Sequence, residues 1–64
     1  MQLSVPDMSC GHCKASVETA LKALDPSAQV QVDLATRQVT LETNASATRV
    51  IAALQDVGFD ATPV

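Results

Sequence analysis

Tryptophan and tyrosine are absent from this 64-residue chain, and phenylalanine occurs once, at Phe59. Without aromatic platforms, stacking on bases or sugars is excluded as a main mode of recognition. Basic residues are also scarce: four Lys plus Arg stand against seven Asp plus Glu, a formal charge of −3. A nucleic-acid binder needs a basic stripe to neutralise phosphates, so no nucleic-acid partner is expected. No apolar run approaches the ~20 residues that span a bilayer, so direct membrane insertion is not expected either. The opening Met1-Gln2-Leu3-Ser4-Val5-Pro6-Asp7 lacks the basic and apolar regions of a secretory signal. That favours a cytoplasmic location, although a trimmed mature chain or a domain of a larger protein would read the same way. The single histidine and the lack of paired carboxylates argue against hydrolysis, and the chain is not expected to be an enzyme.

Only two cysteines are present, too few for a disulfide framework. They lie three apart in Met8-Ser9-Cys10-Gly11-His12-Cys13. That spacing puts two thiolates on one short turn, close enough to hold one soft ion. Thiolate selects Cu(I), Zn(II) or Hg(II) over Mg or Ca. Cu(I) is satisfied by two sulfurs, whereas structural zinc takes four closed ligands. Two sulfurs therefore suit Cu(I), with Zn(II) or Hg(II) as open alternatives, and Cys10 and Cys13 are the candidate ligands. His12 lies between them, and its ring is expected to point away from the ion. Gly11 relieves backbone crowding in the turn.

The rest of the chain reads as a small scaffold for this turn. Sixty-four residues make one domain, 1–64, which buries only ~60% of its unfolded surface. Leu3 and Val5 alternate with Gln2 and Ser4, a short strand stopped by Pro6. Cys13, Val17, Ala20, Leu21 and Leu24 follow the rhythm of one helical face, and Pro26 closes that helix. Lys14, Glu18 and Lys22 form its solvated side. Ala28, Val30, Val32 and Leu34 alternate with polar residues, as do Val39 and Leu41. The polar Ala35-Thr36-Arg37 between them predicts a hairpin. Asn44 or Ser46 can cap a second helix whose apolar face is Val50, Leu54 and Val57, with Ile51 beside them. Gly58 is placed to end it in the left-handed conformation. Asp60-Ala61-Thr62-Pro63 is a weak last strand that suits only an edge. The order β-α-β-β-α-β with half-polar strands predicts an α+β fold of the ferredoxin-like kind. Its antiparallel four-stranded sheet would carry two helices on one face.

Met8-x-Cys10-x-x-Cys13 after a first strand resembles the heavy-metal-associated domain family. That family includes small bacterial copper chaperones and the N-terminal domains of metal-pumping P-type ATPases. Val32-Asp33-Leu34 with Val39-Thr40-Leu41 resembles the family hairpin, and Ala53-Leu54-Gln55-Asp56-Val57-Gly58-Phe59 its second helix and following loop. Asp7 departs from the pattern, where many members carry glycine. The resemblance implies a cytosolic metallochaperone that binds one Cu(I) and passes it by thiolate exchange to a metal-transporting P-type ATPase domain. An N-terminal domain of such an ATPase is the alternative, and Ser9, where zinc-pump domains tend to carry an acid, favours copper. It also implies that Met8 packs under the loop rather than ligating, and that Phe59 covers the loop. The chain is expected to be a monomer when apo, with a copper-bridged dimer as an alternative. Cys-Gly-His-Cys also occurs in thiol-disulfide oxidoreductases, but Ser9 precedes Cys10 where an aromatic is usual there. Haem attachment needs His directly after the second Cys, and Lys14 stands in that place.

Overall fold

The alternating segments become the strands of one antiparallel sheet. The computed structural model describes residues 1–64. In chain order the elements are β1 (Gln2–Ser4), α1 (Gly11–Leu24), β2 (Gln29–Asp33), β3 (Gln38–Glu42), α2 (Ala47–Asp56) and β4 (Thr62–Pro63). The sheet order is β2-β3-β1-β4, with β1 and β3 central and every pairing antiparallel. This is the expected ferredoxin-like arrangement.

Register follows from burial. Leu3 lies opposite Val39, which lies opposite Val32 on its other side, so three apolar side chains share one face. Gln2, Thr40 and Gln31 are matched in the same way on the other face. A slip of one residue would exchange these faces, so the pattern holds the register. The inward residues Leu3, Val39 and Leu41 meet Val17 and Leu21 of α1 and Val50 and Leu54 of α2 in one core, all at 1% exposure or less. Burying each such side chain contributes about 1.5–3 kcal/mol before entropy is set against it.

The elements are shorter than the hydrophobic alternation predicts. Ala28 is buried but lies in the turn before β2, and Leu34 begins the turn after it. Ser46, not Asn44, caps α2, its hydroxyl accepting from the Arg49 N–H at 3.3 Å. Val57 was expected on the buried face of α2 but is 46% exposed. The helix stops at Asp56 because Gly58 takes φ +91°. The Gly58 N–H then donates to Gln55 O and the Phe59 N–H to Leu54 O, the paired bonds of a Schellman ending. This ending swings Val57 out and turns Phe59 back onto the core. Pro63 sits opposite Leu3 on the edge strand β4, the position open to proline.

Asp25 joins two connections that are distant in sequence. One carboxylate oxygen accepts from the Ser27 N–H and hydroxyl, and the other from the Thr43 hydroxyl at 2.6 Å and the Asn44 N–H. These donors, led by Thr43, hold its carboxyl down to about 2. The clip ties the end of α1 to the entrance of α2.

Candidate metal centre

The approach to the cysteines begins with a tight turn. The Met8 N–H donates to Val5 O at 3.0 Å, closing a β-turn with Pro6 in its second position, where the proline ring presets φ. Asp7 has no positive φ, so the turn is not type II. Met8 is fully buried in the core cluster. Its side chain pins the loop from beneath, as the sequence implied, and leaves Ser9 and Cys10 exposed.

Cys10 is the N-cap of α1. Its backbone is extended, with φ −145° and ψ 168°, and its sulfur accepts from the Cys13 N–H at 3.4 Å. Its carbonyl takes the Lys14 N–H at 3.0 Å. Serine or aspartate commonly fills this role, and a thiolate can do the same. Cys13 lies within the first helical turn and packs against the core, so the helix itself fixes it. Both thiols are free and their sulfurs stand 3.0 Å apart. The contact with the Cys13 thiol and the Cys13 N–H lower the Cys10 thiol below its ordinary value, desolvation opposes them, and the His12 N–H adds a smaller lowering. Unpaired N–H groups and the helix dipole act in the same direction, favouring anionic sulfur.

The geometry sets what the pair can accept. With metal–sulfur bonds of ~2.3 Å, a tetrahedral S–M–S angle separates two sulfurs by ~3.8 Å and a linear one by ~4.6 Å. From 3.0 Å the pair must open to admit either arrangement. Cys10 is the one free to move, being exposed at the helix edge, whereas Cys13 is half-buried. No group of three or more His, Cys, Asp or Glu stands together anywhere in the protein. A closed four-ligand zinc site is therefore not built into the chain, and His12, although adjacent in sequence, does not complete a cluster. No surface hollow is lined by either cysteine, so an ion held here would be open to a second molecule.

The other singled-out residues separate by position. Lys14 is exposed one residue beyond Cys13 and, with Glu18, lines a shallow hollow against β2 that neither cysteine borders. Lys22 is eight residues further along α1, roughly 12 Å by helical rise. Its ammonium donates to Ala28 O at the opposite end of the helix, so the two lysines do not form one patch at the thiols. Phe59 is half-buried against the core. Sequence reading missed Arg37, which reaches back to this loop from the hairpin. Its carbonyl accepts from the Val5 N–H at 2.8 Å, and its guanidinium donates to Pro6 O at 3.1 Å. Nothing local in Ala35-Thr36-Arg37 signals that 31-residue reach.

A small ferredoxin-like domain with an exposed, uncrowded dithiol at a helix N-terminus is the class defined by this fold and site. The sequence matches the heavy-metal-associated domain family over residues 2–60, and the chain belongs to that family. It is similar to the copper chaperone CopZ of Staphylococcus aureus, at 39% identity over 61 residues, covering 91% of this chain and 90% of that protein. Among solved structures it is similar to a gold binding protein, with TM-score 0.93, 44% identity and coverage of 95% and 94%. It is also similar to the copper chaperone Atx1 of Synechocystis PCC6803, with TM-score 0.94, 31% identity and coverage of 97% and 98%. No helix is long and apolar enough to cross a membrane.

Proposed function

We propose that the protein is a cytoplasmic copper carrier that binds one Cu(I) through Cys10 and Cys13 and hands it to a metal-transporting P-type ATPase domain. The observation that carries this reading is the isolated pair of free thiols, 3.0 Å apart, on an exposed helix N-terminus. The similarity to proteins named copper chaperones supports the choice of copper. Two sulfurs hold Cu(I) but leave it under-coordinated, so an incoming thiolate can add as a third ligand before one of the first two leaves. Cys10, on the mobile side, opens first, and Cys13 keeps hold until the exchange is complete. The ion passes without being released to water. The protein acts as a carrier and not as a catalyst.

The similarity to a gold binding protein favours a second reading, in which the same pair serves another soft, low-coordinate ion. Anaerobic competition of Cu(I), Au(I) and Zn(II) for the reduced protein, against chelators of known strength, separates these readings. Copper transport requires Cu(I) to be retained far more tightly than Zn(II), and the Cys10→Ser, Cys13→Ser double variant to lose it. Tight Cu(I) binding by the double variant would place the site elsewhere.

A further inference from the structure

We propose that Arg37 is a positioning residue for the dithiol loop, holding the central peptide of the Val5–Met8 turn in one orientation from the neighbouring β2–β3 hairpin. That the loop it positions binds metal rests on the function proposed above. Three observations carry the inference. The first is that Arg37 adopts φ +56°, the only positive φ at a non-glycine residue in the protein. This left-handed conformation is unfavourable for an L-residue, and glycine or asparagine is the usual occupant. The second is a pair of bonds from that one residue to the same short segment. Its carbonyl takes the Val5 N–H at 2.8 Å and its guanidinium donates to Pro6 O at 3.1 Å.

The third is which carbonyl the guanidinium selects. Pro6 O belongs to the peptide between the second and third positions of the turn. Type I and type II turns differ by a flip of this peptide, which reverses the direction of its carbonyl. Only the type I direction avoids a positive φ at Asp7. A donor fixed on Pro6 O therefore penalises that flip and holds the peptide that leads to Met8 and the cysteines. Arg37 makes both contacts from the end of the hairpin, directly before Gln38, where β3 begins its pairing with Ser4 of β1. A glycine in its place would satisfy the turn equally and donate nothing to Pro6.

The test uses the reduced, metal-free protein. Arg37→Asn keeps a residue that tolerates positive φ, and keeps the backbone bond to Val5, but cannot reach Pro6 O. Amide hydrogen exchange is followed at Met8, whose N–H closes the turn, and at Val50, whose N–H bonds Ser46 O within α2. Met8 exchange should accelerate about two- to tenfold, the weight of one hydrogen bond, and by more than Val50 exchange, while the thermal midpoint falls by only a few degrees. Arg37→Lys, with a long stem and a donor, should recover part of the Met8 protection. Met8 exchange that is unchanged, or that rises only in step with Val50, overturns the proposal and leaves Arg37 a turn residue. These readouts need no metal, so failure of the copper reading would appear separately, in the competition experiment.

Discussion

Replacing Met8 separates two roles that its place beside the thiols invites. Its side chain has no exposure and belongs to the ten-residue core. Met8→Ala removes three heavy atoms from that site, and such truncations cost about 2–5 kcal/mol depending on how far the site collapses. In a core this small the lower half of that range, ~2–3 kcal/mol, is the expected loss. A domain of this size holds only ~3–10 kcal/mol in total, so the loss is a large share. Each kcal/mol shifts the midpoint of a short domain by ~4–8 °C, so Met8→Ala should lower Tm by ~10–20 °C. Met8→Leu keeps volume and shape, costs less than ~1.5 kcal/mol, and carries no thioether. If Met8 is an anchor and not a ligand, Met8→Leu should retain Cu(I) within about twofold of wild type in the chelator competition. Thermal denaturation by circular dichroism and the anaerobic competition read the two quantities independently. A tenfold loss of Cu(I) affinity in a Met8→Leu protein of normal Tm would make the thioether a ligand. An unchanged Tm for Met8→Ala would show that the loop is held by something else.

Three further outcomes follow from the same geometry. Cys10 is exposed with a lowered thiol pKa and Cys13 is half-buried, so limiting iodoacetamide at neutral pH should modify Cys10 first, as mass mapping would show; equal labelling would remove the asymmetry on which the order of exchange rests. The Asp25 carboxyl is held at about 2 in the fold against an ordinary 3.8, so its contribution is complete above that ordinary value and fades as pH falls through 2. Asp25→Asn should therefore be less stable at neutral pH and lose less on going from pH 5 to pH 2, and a parallel offset between the two stability curves would contradict this. Because the core does not depend on the cysteines, the apo protein should show a dispersed amide spectrum, and Cu(I) should raise Tm by mass action without changing the fold; collapse of that dispersion on chelation would mean that metal is structural here.

Much of this molecule is determined by local sequence. The alternation of Val39 and Leu41 with polar neighbours, and the 3.6-residue rhythm through Val17, Leu21 and Leu24, set element type because each element must present one apolar face. Gly58 ends α2 as expected because only the left-handed conformation closes that pair of bonds. The two thiols are adjacent by spacing alone, since three residues at a helix start bring side chains together whatever surrounds them. Tertiary structure decided where these signals stop and what they meet. Val57 continues the apolar rhythm yet is exposed, because the chain reverses at Gly58 before another helical turn can form. Lys14 and Lys22 share a helix side in sequence, but Lys14 lies in the first turn of α1 whereas Lys22 binds Ala28 O at the far end. The Asp25 clip to Thr43 and the Arg37 latch on Pro6 join residues 18 and 31 apart. No pattern of short period encodes such contacts; they exist only because strand register and sheet order bring those segments together.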